Sequence, residues 1–285
     1  MKKGLTFVLY FLFSQGVFSQ AADSPITHKW ERDYQGIWEF NLHNTDYCDY
    51  YVVYNINRIN IAKPGKNSLI RMTQGTAAHN QTTFPDNYLY YKGDFPHRMN
   101  VDFLYALPVK SGDSVIYTVD SGRRTLSHRF FSFYLSDTIY AAREGRVCLN
   151  NARGMAQYQI EAANIGEQIL LYHKDNTFAL YRGFSNVFVS PGSYVKVGQP
   201  IGIGMATLEG TMISVSFFFL DKNKLQGHSI EGNPHTYFNP VFSTANVGNV
   251  RLEEGTVYVA KLTDEIITQE MSNREKKRYE KRNRE

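Results

Sequence analysis

The stretch Gly210-Thr-Met-Ile-Ser-Val-Ser-Phe-Phe-Phe219 determines how the rest of this sequence is interpreted. Its β-branched and aromatic residues predict a buried β-strand. Ser214 and Ser216 are two positions apart, so in a strand they lie on the same face. A serine hydroxyl is a poor zinc ligand beside imidazole, thiolate or carboxylate. The pair therefore disfavours metal chemistry on this strand.

The composition around this strand is typical of a β-rich globular protein. The chain has 285 residues, enough for one large or two medium domains. Aromatic residues make up 14%, with 20 Tyr and 19 Phe, and this favours β-structure. Residues 108–245 contain strand-like segments separated by glycines, which suit the tight turns of an antiparallel sheet. The sequence therefore predicts an all-β fold.

The N-terminal 19 residues resemble a secretory signal peptide. Lys2 and Lys3 precede an apolar run over residues 4–18, and small residues lead to a cleavage point after Ser19. The run is shorter than the ~20 residues of a membrane-spanning helix. We therefore expect export to the periplasm or the extracellular space, with no stable membrane span after cleavage. An uncleaved anchor is the alternative.

Two further regions flank the central one. Residues 23–107 contain short strands separated by Pro, Gly and Asn clusters, which predicts an immunoglobulin-like β-sandwich that supports the main domain. Residues 246–285 predict a strand and then a charged helical tail, rich in Lys and Arg from Met271 onward. The tail is interpreted either as a solvated helix or as a basic arm for acidic surfaces. One aromatic residue, Tyr279, offers no stacking platform for nucleic acid, so no nucleic-acid partner is expected.

The two cysteines, Cys48 and Cys148, leave two alternatives open. An exported chain enters an oxidising compartment, where a disulfide can form. Two separate buried thiols are equally compatible with the sequence, because free Cys behaves as a small hydrophobic residue. The sequence contains no Cys-x-x-Cys motif or Cys/His cluster to support a structural zinc site.

Four segments of the chain, at residues 169–177, 181–184, 189–202 and 214–217, resemble in their order and motifs those of the lysostaphin/LytM-type zinc metallopeptidases, which cleave peptidoglycan. The longest is Val189-Ser-Pro-Gly-Ser-Tyr-Val-Lys-Val-Gly-Gln-Pro-Ile-Gly202, similar to the family's V-x-x-G-x-x-V-x-x-G-Q-x-I-G. Ile169-Leu-Leu-Tyr-His-Lys-Asp-Asn-Thr177 is similar to its V-x-I-x-H-x-D-G-x hairpin. Tyr181-Arg-Gly-Phe184 and Ser214-Val-Ser-Phe217 stand where the family has Y-x-H-L and H-x-H-F. The resemblance covers about residues 103–220 and implies the duplicated hybrid motif fold.

This resemblance implies that the zinc and catalytic positions are almost all lost. The second histidine of the H-x-H pair, a zinc ligand, corresponds to Ser216, and the first, a catalytic residue, corresponds to Ser214. The catalytic histidine of Y-x-H corresponds to Gly183. His128 corresponds to the first zinc ligand, but Ser132 stands where the ligand Asp is expected. One histidine does not hold zinc, so no cofactor is expected.

The sequence therefore favours an exported, non-catalytic member of this family, a pseudoenzyme that serves as a binding or regulatory module of the cell envelope. Its former cleft, formed by Tyr181, Gly183, Ser214, Ser216 and His128, is expected to bind a cell-wall peptide or a partner hydrolase.

Two alternatives remain open. The first is an active zinc endopeptidase with a relocated site near His128, using His173 or His228. The default interpretation of His173 is structural. The second alternative is a structural protein of envelope assembly that uses the sandwich and the basic tail as contact surfaces.

Overall fold

The computed structural model describes residues 24–55, 58–71, 89–96, 103–122, 125–132, 138–148, 167–207, 210–225 and 234–283. Its first seven strands are β1 (Ile26–Arg32), β2 (Trp38–Asn44), β3 (Tyr50–Asn55), β4 (Arg58–Ala62), β5 (Gly65–Arg71), β6 (Leu89–Lys92) and β7 (Leu104–Ala106). The predicted signal peptide and His228 lie outside the described residues.

The remaining elements are again mainly strands. They are β8 (Ser114–Gly122), β9 (Thr125–Ser132), β10 (Thr138–Tyr140), β11 (Gly145–Cys148), β12 (Glu167–Tyr172), β13 (Thr177–Val187), β14 (Tyr194–Val195), β15 (Pro200–Thr207), β16 (Gly210–Leu220), β17 (His235–Tyr237), β18 (Val241–Thr244), β19 (Gly248–Val250) and β20 (Val257–Val259). Two helices follow, α1 (Asp264–Thr268) and α2 (Asn273–Arg282). The predicted all-β fold with a short charged C-terminal helix is confirmed.

A large curled sheet forms the centre of the molecule. Within the described residues it has eleven strands, with the order β14-β11-β12-β13-β15-β16-β9-β8-β20, and with β10 and β17 pairing to β15 and β16. β13 is long enough to pair with β12 along one edge and with both β15 and β16 along the other. β16, the strand that carries the serine pair, therefore lies in the middle of the sheet.

Close packing explains a glycine of the longest matching segment. Gly202 lies on β15, beside β13. A Cβ atom at this position would lie 2.6 Å from the carbonyl oxygen of Asn186 and 2.6 Å from the ring of Phe184. Only a residue without a side chain lets the two strands approach so closely.

The N-terminal strands form two smaller sheets that cover one face of the large sheet. In the described part of the chain their orders are β1-β2-β5 and β4-β3-β6. Phe40 and Leu42 of β2 and Val52 of β3 share one buried cluster with Leu180 and Phe218 of the large sheet. The immunoglobulin-like comparison and the predicted domain boundaries stay predictions.

The other face of the large sheet packs against the C-terminal segment. Ile213, Val215 and Phe217 of β16 share a second buried cluster with Tyr105 of β7 and Phe242 of β18. β7 pairs in parallel with β18, so the segment before the large sheet and the segment after it meet. No helix among the described residues combines the length and the apolar character that crossing a membrane requires.

Candidate functional site

The serine pair lies on the face of β16 that is turned toward the N-terminal sheets. Ser214 and Ser216 alternate with Ile213, Val215 and Phe217, which point into the opposite core. Ser216 is fully buried and Ser214 is partly buried. The prediction that the two serines share a face therefore agrees with the strand geometry, and this face offers little access to solvent at Ser216.

An arginine occupies the space beside the serines. Arg182 on β13 is the cross-strand partner of Ser214, so the two side chains share a face. Its guanidinium Nη2 donates a hydrogen bond to Oγ of Ser216, with a donor–acceptor distance of 3.1 Å. A guanidinium stays protonated in proteins. The serine pair therefore lies next to a permanent positive charge.

These residues do not fit the zinc ion that the sequence resemblance implies. Zinc in proteins is held by thiolate, imidazole or carboxylate groups. Here the ligand position Ser216 and the catalytic position Ser214 both carry neutral hydroxyls, and Ser216 already accepts a hydrogen bond from a cation. A divalent cation beside Arg182 would add like-charge repulsion to a weak ligand set.

Gly183 lies at a β-bulge between the paired segments of β13. The pairing with β12 shifts at this point, since Gln168 faces Arg182 and Glu167 faces Phe184. Gly183 has φ of +103°, a backbone conformation that residues with a Cβ atom rarely adopt. The bulge accounts for glycine at the position where the family has its catalytic histidine.

Tyr181 does not join the serines. It is the cross-strand partner of Val215, which puts its side chain in the opposite core with Val215 and Phe217. Its hydroxyl accepts a hydrogen bond from the backbone N–H of Ala142 at 2.8 Å, and burial raises its pKa. The sequence-based expectation of one cleft lined by Tyr181 and the serines is corrected here, because the sheet separates them.

His128 lies on β9, the strand next to β16. The backbone register pairs it with Val215 on one side and with Val119 on the other. It therefore stands at the level of the residue between the two serines. The register brings its backbone near the pair, opposite Val215.

Of the two histidines considered for a relocated metal site, His173 lies among the described residues. It is buried in the turn between β12 and β13. Its Nδ1 donates to the carbonyl oxygen of Glu144 at 2.7 Å. Burial and the nearby guanidinium of Arg143 lower its pKa to about 3. Its Nε2 is buried and has no hydrogen-bond partner among the described residues. This environment suits a neutral structural histidine.

The sequence interpretation missed a buried ion network beside this turn. The guanidinium of Arg143 is 2% exposed and makes two hydrogen bonds to the Glu270 carboxylate, at 3.0 and 2.7 Å. It also donates to Asp175 at 3.0 Å and to the hydroxyl of Tyr105 at 3.1 Å. Burial by itself raises the pKa of both carboxyls. For Asp175 the nearby charges, chiefly that of Arg143, and the hydrogen bonds from Arg143 and Thr177 together outweigh burial and lower the pKa, whereas for Glu270 burial prevails and raises it.

The network fixes the C-terminal segment against the large sheet. The side chain of Gln269 also binds the backbone of Leu104, donating to its carbonyl oxygen at 2.6 Å. Ile266 of α1 packs on β7. α2 begins with a capping box in which Ser272 and Glu275 exchange hydrogen bonds. These contacts hold a helix that buries none of its own residues.

A groove of about 820 Å³ separates α2 from the large sheet. Its apolar lining comes from Val197, Ile267 and Met271. Five cationic side chains also line it: Lys174, Lys196, Arg278, Lys281 and Arg282. We call this surface the C-terminal groove.

Three acidic residues also line the C-terminal groove, but two of them already have close partners. Glu270 is bound to Arg143, and Glu275 accepts hydrogen bonds from the backbone and hydroxyl of Ser272. Glu144 is the third. The cationic side chains therefore dominate the charge that the groove presents to a ligand.

Away from the serine face, the described part of the chain contains a buried cluster of residue types that can bind metals. It consists of Asp46, Cys48 and Cys148, whose ligand atoms lie within 4.8 Å of one another. None of these residues belongs to the site that the sequence predicted.

Comparisons with known proteins give only distant similarities. No family model matches the chain, and no curated protein matches it. Among solved structures, Csd3 from Helicobacter pylori in its orthorhombic crystal is 15% identical with a TM-score of 0.30, covering 86% of this chain and 57% of that one. The hexagonal crystal of the same protein gives 16%, a TM-score of 0.29, and coverage of 64% and 45%.

A third solved structure is a zinc-containing peptidase from Vibrio cholerae. It is 14% identical with a TM-score of 0.27, and the match covers 64% of this chain and 52% of that one. This chain therefore spans about half the length of the solved structures that it matches. Similarities of this size do not assign it to a family.

Proposed function

We propose that this chain is an exported, peptidase-like protein of the bacterial cell envelope that acts by binding and not by catalysis. The observation that carries the proposal is the hydrogen bond from Arg182 to Ser216. It puts a cation at the position where the sequence resemblance implies a zinc ligand.

The charge of Arg182 opposes a zinc ion at this position. Two unit charges 4 Å apart interact by about 4 kcal/mol at an effective dielectric constant of about 20, and a divalent ion doubles that repulsion. Neutral hydroxyls do not compensate for it, since zinc affinity depends on the number and type of its ligands. Without a bound metal, no water is activated for attack on a peptide bond at this site.

Elemental analysis tests this proposal. The mature protein, purified without chelator or metal-affinity resin and dialysed against buffer with zinc and then without it, should contain far less than one zinc per chain. A matched variant, Arg182→Ala, should stay equally low, because removing the cation does not supply ligands. A zinc content near one per chain, lost on His128→Ala, would contradict the proposal.

The binding surface that we assign to this module is the C-terminal groove. The serine face is closed at Ser216, whereas the groove is open and combines an apolar floor with cationic side chains. Cell-wall peptides carry free carboxylates and short apolar side chains. Such a peptide is therefore the partner whose charge and polarity best complement the groove.

Calorimetric titration with a soluble cell-wall peptide tests this assignment. We expect binding that weakens with added salt, and at least a tenfold loss of affinity for the double variant Arg278→Glu/Arg282→Glu. The matched control is Arg274→Glu/Lys277→Glu, an equal charge change on the same helix at residues that do not line the groove. Equal losses in both variants, or no binding by the parent chain, would refute the peptide assignment and direct attention to a protein partner.

A further inference from the structure

The two cysteines meet in the core between the N-terminal sheets and the large sheet. Cys48 precedes β3, and Cys148 ends β11, 100 positions later in the chain. Both side chains are buried, and both belong to the same apolar cluster. Their sulfur atoms lie within 4.8 Å of each other. A residue just before β3 and a residue of the large sheet are thus adjacent at one point.

The third residue of this cluster, Asp46, already has its own partners. Its Oδ2 accepts hydrogen bonds from Nζ of Lys92 at 2.7 Å and from the hydroxyl of Tyr50 at 2.8 Å. Its Oδ1 accepts from the backbone N–H of Tyr47. The Lys92 and Asp46 side chains are both fully buried, so they form a buried ion pair.

This ion pair disfavours a metal ion among the three residues. A metal would have to compete with Lys92 and Tyr50 for the carboxylate, and it would place a second cation beside the buried Lys92. The cysteines would also have to lose their protons, since thiolate is the form that binds metal. Burial raises the pKa of Cys48, which keeps it as a thiol. The neighbouring sulfur atoms are better suited to bond to each other.

We propose that Cys48 and Cys148 form a disulfide that joins the β4-β3-β6 sheet to β11 of the large sheet. The bond forms while the chain folds in an oxidising compartment, to which the predicted signal peptide directs it. It encloses a long loop, and cross-links of this kind reduce the conformational freedom of the unfolded chain most strongly.

The chemistry uses a donor disulfide, such as oxidised glutathione or a protein disulfide. One cysteine thiolate attacks a sulfur of the donor, forms a mixed disulfide and releases one donor thiol. The second cysteine then attacks the mixed disulfide and releases the other donor thiol. Overall, the two cysteines lose two hydrogens and form one S–S bond, while the donor is reduced to two thiols. In the folded chain the thiols are buried, so the reaction belongs to folding.

Refolding of the full chain in a glutathione buffer tests the bond without requiring export. The chain is unfolded and reduced, refolded in mixed oxidised and reduced glutathione, denatured and treated with iodoacetamide. We expect an intact mass two hydrogens below that of the dithiol and no alkylation. After reduction, two alkyl groups should be added per chain. Two alkylated thiols before reduction, or only intermolecular dimers, would overturn the proposal.

A thermal measurement supplies a second readout. A reducing agent should lower the Tm of the oxidised chain by roughly 5–15 °C. The Tm of Cys48→Ala/Cys148→Ala should not respond to the reducing agent, whatever its absolute value. Thiols that resist iodoacetamide until a chelator is added would instead identify a bound metal and would also overturn the proposal.

Discussion

One arginine lies on the serine face and another lies beneath the C-terminal groove, and the two behave differently. Arg182 is partly buried and donates to a neutral hydroxyl, at the position that the sequence resemblance aligns with a zinc ligand. Arg143 is almost fully buried and binds two carboxylates beneath the groove. Arg182 changes the chemistry of the serine face, whereas Arg143 holds Glu270, a residue that lines the C-terminal groove.

This difference shows where the chain keeps binding capacity. On the serine face the side chains bind one another, and Ser216 is closed to solvent. In the groove the buried carboxylate of Glu270 is engaged by Arg143, which leaves the lysines and arginines of the rim facing open space. Substitutions at the two arginines should therefore have separable consequences.

The largest effect is expected from Arg143→Met. Removing this guanidinium leaves Glu270 and Asp175 without the cation that stabilises them in a buried setting, and breaking a buried ion pair in this way typically costs about 3–5 kcal/mol. Urea denaturation followed by circular dichroism should show a loss of this size in the free energy of unfolding.

The double variant Arg143→Met/Glu270→Gln separates charge from packing. Neutralising Glu270 should restore part of the stability, since the uncompensated charge is then gone. Arg143→Met alone staying within about 0.5 kcal/mol of the parent would show that the network is not part of the fold's stability.

A smaller effect is expected from pH, through His173 beneath the groove. Its pKa in the folded chain is about 3, below the value of about 6.5 for an unperturbed histidine. Between these values the unfolded chain binds a proton that the folded chain does not. The contribution of neutral His173 to the free energy of unfolding is therefore fully present above about pH 6.5. It falls by about 1.4 kcal/mol per pH unit as pH decreases, which amounts to a loss of about 2 kcal/mol at pH 5.

His173→Asn is the control for this pH dependence. The asparagine amide can still donate to the carbonyl oxygen of Glu144, but it does not titrate. Its urea midpoint should change less between pH 7 and pH 5 than that of the parent. His235, whose pKa burial lowers to about 4, remains in both chains and supplies the residual slope. Parallel curves for parent and variant would contradict the neutral assignment of His173.

Much of the fold follows from local sequence patterns. The apolar run of Gly210–Leu220 and the charged stretch of α2 each act within a few residues, and each predicts its element. Alternation along one strand also predicts that Ser214 and Ser216 share a face. Alternation along one strand does not predict on which side of the sheet a residue of another strand lies.

The features that local patterns predict wrongly or miss all depend on contacts between residues that are distant in the sequence. The motif resemblance puts Tyr181 in the serine cleft, but the register pairs it with Val215. Arg143 and Glu270 are 127 positions apart, and no local signal links them. Pairing register and long-range ion pairs depend on the whole assembled sheet.

The smallest effect is expected from Ser216→Ala, and it tests the serine face most directly. The variant removes the acceptor of the Arg182 hydrogen bond at a fully buried position, which should cost about 1–2 kcal/mol of unfolding free energy. Ser214→Ala, on the same face but partly exposed, is the matched control and should change stability by less than about 0.5 kcal/mol. Because both variants delete one hydroxyl from the same strand, their difference reports the bond to Arg182. Equal values for the two would mean that Arg182 does not depend on Ser216, and the case against a metal at this face would then rest on the ligand set alone.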